Sequence, residues 1–302
     1  MLHTEQLKKK LELARFIHIL SIIILVLVIF LFTTIPYKRW ILLTVIVLSA
    51  GIQPGLILRR AWHRITGTFL ALLCLLPLLY LMQLNYRFIP VIFIAALIAA
   101  GVTGLNPERY DIKVFFTTIV VFLLIAQTID VNTPEGPFEM VINRGLCTLI
   151  GAAIILISDY VLFNAYQYSQ KLYLYHQMML YDFLKNCGME IKNAREQKVN
   201  TYIFIDQLRN EMINHFLPIT VSSKSLLLDI NSSQNLKRQV MEFQNTIWEI
   251  RHIIFALTFS EIILYSKEAS HAHWQQYTEL MDKARHHMIK LEQNRVIQAA
   301  VQ

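Results

Sequence analysis

Six apolar stretches, separated by short polar links, make up the first half of the chain. Each is long enough to cross a hydrocarbon core as a helix, which takes about 20 residues, or somewhat fewer inside a bundle. We predict spanning helices near residues 16–35, 40–58, 65–84, 88–105, 114–129 and 145–165. The first stretch resembles a signal peptide, but no small-residue cleavage site follows it, so we expect it to remain as the first span.

The second half of the chain is polar and has helical periodicity. We predict one helix from Tyr166 that continues the sixth span and stops near Gly188, a residue type common at helix C-caps. A second helix, from Met189, should end at Pro218, because proline in a helix interior removes a hydrogen bond. The segment after Pro218 is ambiguous up to Ser232 or Ser233, either of which suits the N-cap of the next helix.

Two apolar series with alternating steps of four and three residues follow. The first consists of Leu236, Val240, Phe243, Ile247, Ile250, Ile254 and Leu257, and the second of Trp274, Tyr277, Met281, Ala284, Met288 and Leu291. They predict an antiparallel helical hairpin packed like a coiled coil. Its seam, with Phe243, Ile247, Ile250, Ile254, Trp274, Tyr277 and Met281, either forms the core of one chain or is shared with a second subunit.

With 55% hydrophobic and 16% charged residues, the chain of 302 residues is too apolar for an ordinary water-soluble domain. The sequence therefore predicts an all-α membrane protein, with a six-helix transmembrane domain in residues 1–165 and a cytoplasmic helical domain in residues 166–302. The formal charge of +7 is explained by membrane orientation and by contacts with anionic lipids. No nucleic-acid-binding signature appears, so we expect no nucleic acid partner.

Lys and Arg are distributed unevenly between the two sides of the predicted membrane. One side has the N-terminal cluster, Arg59, Arg60, Arg64, Arg109, Lys113 and the cations from Lys171 onward, whereas the other has Lys38, Arg39, Arg87 and Arg144. The positive-inside rule then places both termini in the cytoplasm.

The sequence offers no pattern typical of an enzyme or a cofactor site. It contains no phosphate loop, no nucleophile elbow and no paired metal-ligand motif, so we expect neither catalysis nor a nucleotide-driven pump. Four of the histidines form two close pairs, His271 with His273 and His286 with His287. Within each pair the side chains point to different faces of a helix, so we expect no metal site.

The stretch from Gln53 to Arg64 concentrates the candidate transport chemistry. Gln53, Pro54 and Gly55 lie inside the predicted second span, where they indicate either a helix break that exposes backbone groups to a substrate or a simple kink. Arg60 and Arg64 lie in the link that follows, one helical turn apart. They either hold a carboxylate bidentately or act as orientation signals bound to lipid phosphates.

Asp159 is an acidic residue within the predicted sixth span. Charged groups in a membrane are costly and are functional candidates by default. We expect Asp159 to pair with Arg60 and Arg64, which lie at similar depth, and regard proton coupling as the second alternative. Arg144, at the other end of that span, either gates the external mouth or anchors the helix there. His18, alone on an apolar face, is expected to hydrogen bond between helices.

The membrane half resembles the fusaric acid resistance and aromatic acid exporter family. The resemblance is based on Trp40, Thr44, Gln53-Pro54, Arg59-Arg60, the RITGT run at 64–68, FFTT at 115–118 and NRGLCTLIG at 143–151, and it covers roughly residues 10–165. The family commonly has a further glycine where this chain has Ala71. Exporters of the family usually contain two six-span units, whereas this chain has one, as do the distantly similar plant aluminium-activated malate channels. The resemblance therefore implies a homodimer.

Two functions are compatible with these observations. The first is a transporter or channel unit for organic anions, by resemblance aromatic carboxylates, in a bacterial inner membrane and with efflux favoured. Its anion path would include Gln53, Arg60, Arg64, Thr118 and Arg144. The second is a membrane scaffold that does not transport and whose cytoplasmic helices recruit a protein partner.

Overall fold

The computed structural model describes residues 2–34, 38–49, 54–85, 87–105, 109–128, 137–163, 166–196 and 200–301. In these residues the chain is helical and contains no strand. The α-helices are α1 (Leu2–Phe32), α2 (Arg39–Ser49), α3 (Pro54–Leu84), α4 (Phe88–Gly104), α5 (Tyr110–Thr128), α6 (Pro137–Ile157), α7 (Tyr168–Glu196), α8 (Thr201–Leu228), α9 (Gln234–Thr258) and α10 (Lys267–Val301). Two π-helical turns follow α6 and α9, at Ser158–Leu162 and Phe259–Ile263.

The chain divides into two compact units. The first, here called the membrane unit, is Glu12–Tyr166. The second, the polar unit, combines the residues up to Leu11 with those from Gln167 onward. The first turns of α1 thus pack with the polar unit, although the sequence assigned them to the transmembrane domain.

Three helical segments of the described residues are long and apolar enough to cross a membrane: Gln6–Phe32, Gly55–Leu81 and Glu139–Leu162. Two shorter apolar helices, Arg39–Ser49 and Phe88–Gly104, accompany them. In the membrane unit α3 packs against α5 and α6, α2 packs against α6, and α4 packs against α5.

The link predicted between the second and third spans is wrong. The second span was expected to continue to Leu58, but α2 ends at Ser49 and α3 begins at Pro54. Arg60 and Arg64 therefore lie within the long helix α3 and not in a connection. Proline is well suited to a first helical position, where its missing N–H would have had no intrahelical acceptor. Gln53 lies outside the described residues.

Three other predicted helix boundaries also differ from the structure. The sixth span does not continue into the next helix, because the chain turns through Gln167, whose φ of 49° is left-handed, before α7 begins. Helix α7 passes through Gly188, where the absence of a side chain admits the ring of Tyr277. Helix α8 passes through Pro218, whose neighbours Phe216 and Ile219 are buried in the polar unit. In both helices tertiary packing outweighs local preference.

The first apolar series on α9 lies in the core of the polar unit. Six of its members are fully buried: Val240, Phe243, Ile247, Ile250, Ile254 and Leu257. Tyr277, Met281 and Ala284 of α10 belong to the same cluster, and Trp274 packs against it. Helices α9 and α10 pack against each other. The seam residues are therefore used within one chain, while the coiled-coil geometry stays a prediction.

Candidate functional site

Two buried arginines lie on neighbouring helices of the membrane unit. Arg64 of α3 is 7% exposed, and Arg144 of α6 is 6% exposed. The nearest polar contact of Arg64 is the hydroxyl of Tyr110, 3.4 Å from its Nη1. The guanidinium carbon of Arg144 lies 3.6 Å from the ring centroid of Trp40. This stacking covers one face of the guanidinium and leaves its N–H edge for other partners.

Neither arginine has a carboxylate partner within the part of the chain that the structure describes. Nε of Arg64 and Nη1 of Arg144 are buried and have no acceptor among those residues. Arg64 also repels Arg144 electrostatically, so the two cations are close enough to influence each other. A buried charge without a partner is unfavourable, and an anion would offset this cost with charge-assisted hydrogen bonds.

Buried threonines add polar groups to the interior of the membrane unit. Thr44 of α2 and Thr68 of α3 are fully buried, and their hydroxyl oxygens have no partner among the described residues. Thr118 of α5 is 4% exposed. Thr148 donates to the backbone carbonyl of Arg144 at 2.9 Å. Hydroxyl groups of this kind can assist the arginines in binding a polar ligand.

Glycines allow the helices around these residues to approach closely. A Cβ at Gly67 would lie 2.5 Å from the backbone oxygen of Asp111 on α5. A Cβ at Gly151 would lie 2.9 Å from the Cβ of Thr44 on α2. The glycine of the RITGT run thus sets the spacing between α3 and α5, three residues beyond Arg64.

Arg60 and Arg64 do not share an environment, although they lie one helical turn apart. Arg60 is exposed, whereas Arg64 is buried. Residues four apart on a helix are offset by about 40°, and the edge of the packed face of α3 falls between these two positions. Arg60 is therefore not part of the buried pair.

Asp159 is paired with α1 and not with Arg60 or Arg64. Its Oδ1 accepts from Nη1 of Arg15 at 2.7 Å and lies 2.8 Å from Nε2 of His18. The ring of Phe163 stacks on His18 with a centroid separation of 4.1 Å. Arg15 was missed as a partner, although its spacing of three from His18 places both side chains on one face of α1.

A second buried carboxylate, Glu261, lies in the π turn of the polar unit and is 3% exposed. Arg195 and Ser270 donate to it, and Nε1 of Trp274 donates at 2.7 Å. Burial raises the pKa of Glu261, but these donors and the charge of Arg195 outweigh burial and lower it overall. Sequence reasoning missed this cluster.

Within the described residues, no three His, Cys, Asp or Glu side chains meet in an arrangement suited to a metal ion. The described part of the membrane unit offers buried cations, hydroxyl groups and two carboxylates with basic partners, Asp159 with Arg15 and His18, and Asp111 with His63.

Comparison with known proteins supports the resemblance seen in the sequence. Residues 20–158 match the family described as fusaric acid resistance protein-like. No curated protein and no solved structure matches the chain. The matched segment contains Arg64, Arg144 and the glycines that position their helices. In this segment, which is a little under half of the chain, the protein is thus similar to the fusaric acid resistance protein-like family.

Proposed function

We propose that the chain is one subunit of a homodimeric transporter or channel for organic anions, with aromatic carboxylates as its substrate class and efflux as its direction. The observation that supports this most strongly is the pair of buried guanidinium groups of Arg64 and Arg144, which have no carboxylate partner among the described residues. A substrate carboxylate would supply the missing acceptors and the missing negative charge.

The aromatic preference is supported by Trp40. Its ring stacks on the Arg144 guanidinium, so an aromatic carboxylate bound by that guanidinium would lie beside an aromatic surface. Thr118 and Gln53 would line the same path, and Arg60 would act at its mouth, where an exposed cation attracts anions to an extent that falls with salt.

In this proposal, α1 to α6 are six spans of a bacterial inner membrane, and both termini and the polar unit, with its coiled-coil-like hairpin, lie in the cytoplasm. Energy would come from the proton gradient or the membrane potential. Asp159 is the residue most suited to couple protons, because it is a buried carboxylate next to a histidine.

The test is benzoate flux through the purified full-length chain reconstituted in lipid vesicles. We expect Arg64→Gln and Arg144→Gln each to lower the flux at least about tenfold, the effect of losing about 1.4 kcal/mol of transition-state binding. Arg39→Gln, which removes an exposed cation of α2 next to Trp40, is the matched control and should transport like the wild type. Arg60→Gln should have a smaller effect that disappears at high salt.

Wild-type flux in correctly folded Arg64→Gln and Arg144→Gln vesicles would remove both arginines from the anion path. Equal flux of benzoate and acetate would contradict the aromatic preference alone. A chain that carries neither anion in any vesicle would favour the scaffold function.

A further inference from the structure

The outer face of α9 has a second heptad-spaced series, opposite the buried seam. It consists of Met241, Asn245, Trp248, His252 and Phe255, here called the outer stripe. All five are exposed, and the large apolar members Met241, Trp248 and Phe255 are 48%, 39% and 39% exposed. Phe259, at the next step of four, is 51% exposed. The seam residues behind them are fully buried, so they are not available to a second subunit.

The spacing of the outer stripe is that of a two-stranded coiled coil. Its steps of four and three place Met241, Trp248 and Phe255 at d positions and the polar residues Asn245 and His252 at a positions. A polar asparagine at an a position is a device that sets register and oligomer state in coiled coils. On an ordinary solvated face these positions would be polar, so the alternation of large apolar side chains with Asn245 indicates a partner helix.

The charges beside the outer stripe select the partner. Glu249 is exposed on one flank, and Arg251 lies on the other, with its guanidinium 4.8 Å from the ring centroid of Trp248. If two copies of α9 pair in parallel, the basic flank of each copy meets the acidic flank of the other. If they pair in antiparallel fashion, Glu249 meets its own copy, which is unfavourable.

We propose that the outer stripe pairs in parallel and in register with the same stripe of a second copy of this chain. Two copies inserted in one membrane with the same orientation are related by an axis along the membrane normal, and two helices that run along such an axis pair in parallel. The outer stripe from Met241 to Phe255 is about 21 Å long. A short interface suffices here, because the membrane already confines both copies and raises their effective concentration. The inference rests on the homodimer of the proposed function and identifies its interface.

The test is disulfide cross-linking of the full-length chain in vesicles. Asn245→Cys is introduced together with Cys74→Ser, since Cys74 is exposed and the other two cysteines are buried. Residues at equal a positions of a parallel pair come within disulfide distance, so we expect mild oxidation to convert most of the chain to a covalent dimer. Asn193→Cys on α7, an exposed asparagine of the same unit, is the matched control and should cross-link several-fold less.

A second variant, Phe255→Glu, places like charges opposite each other in the paired outer stripes. We expect the detergent-purified protein to shift from dimer to monomer by light scattering while its thermal unfolding stays unchanged. A dimer that persists in Phe255→Glu and resists cross-linking through Asn245→Cys would overturn the proposal.

Two further outcomes identify other occupants of the outer stripe. A bimane label on Asn245→Cys that is quenched by brominated lipid would assign the stripe to the bilayer, and a monomeric wild type would contradict any pairing. Benzoate flux measured on the same vesicles keeps the two proposals apart. Flux without cross-linking overturns only the interface, and cross-linking without flux overturns only the transport function.

Discussion

Two buried carboxylates, Asp159 and Glu261, each lie in a π-helical turn at the end of a long helix. A π turn inserts one extra residue and frees backbone groups, and such turns are frequent at functional sites. Each turn is followed within a few residues by a non-glycine residue with a φ of 49°, Gln167 after the first and Tyr265 after the second. In both places a charged donor from a distant part of the chain, Arg15 or Arg195, binds the carboxylate.

Replacing Glu261 by glutamine should remove a pH dependence of stability. The pKa of Glu261 in the folded chain is below the ordinary 4.5. The contribution of ionised Glu261 to stability is therefore fully present above pH 4.5, and it is lost as the pH falls through the pKa of the folded chain. We expect Glu261→Gln to destabilise the fold by about 1–3 kcal/mol at neutral pH and by less as pH falls below about 4. Thermal unfolding in detergent, followed by circular dichroism between pH 3 and 7, measures this.

The matched control is Glu249→Gln, which neutralises an exposed glutamate of α9. It should follow the wild type at every pH. Parallel pH curves for Glu261→Gln and the wild type would show that the donors around Glu261 do not stabilise its ionised form.

Sequence reasoning found some of these residues and missed others for a physical reason. Arg64 and Arg144 were identifiable because a charged residue near apolar sequence has few neutral explanations. Arg15 was identifiable in principle from its spacing to His18, but it belongs to the N-terminal cluster of cations, which was explained as a signal of membrane orientation. Glu261 offered no local signal, because Arg195 lies 66 residues away in the sequence and only the packing of α7 against the π turn brings them together.

At the scale of elements, periodicity predicted which segments are helical better than it predicted where they end. Pro218 and Gly188 carry strong local signals to stop, yet both lie inside helices because their neighbours are buried between other helices. Pro54 does begin a helix, as proline at a first helical position should. Helix ends in this chain are thus decided by packing partners that the local sequence does not reveal.

The glycines at helix contacts should tolerate no side chain. In Gly67→Ala the new Cβ would lie 2.5 Å from the Asp111 carbonyl oxygen and 3.1 Å from the Cβ of Val114, so α3 and α5 must separate. In Gly151→Ala the Cβ would meet Thr44 at 2.9 Å, so α2 and α6 must separate. We expect each to destabilise the membrane unit by about 1–3 kcal/mol, measured by thermal unfolding in detergent.

Gly101→Ala provides the matched control. It is also a glycine of an apolar helix, but its new Cβ would have no atom of the described residues within 4 Å, so the substitution should be neutral or stabilise by about 0.4–1 kcal/mol. Equal stability of all three variants would show that close helix approach is not what requires glycine at positions 67 and 151.

At the scale of the whole molecule, α1 is shared between the two units. Its first turns pack with the polar unit, and the rest belongs to the membrane unit. Arg15 and His18 bind Asp159 just beyond the end of α6, so an ion pair joins the first and last helices of the membrane unit. This link spans 144 positions of the sequence. The sequence predicted an interhelical hydrogen bond for His18 and an ion pair for Asp159, but not that these two residues meet.

The strength of that link can be measured with a double-mutant cycle. Among the described residues, Arg15→Ala leaves Asp159 buried with His18 as its partner, and Asp159→Ala leaves a buried guanidinium without this carboxylate. Each should therefore destabilise the chain by about 3–5 kcal/mol. The double variant removes both charges. We expect its loss in free energy of unfolding to be smaller than the sum of the two single losses by at least about 1 kcal/mol. Thermal unfolding in one detergent gives all four values. Additive losses would mean that Arg15 and Asp159 contribute to stability independently of each other.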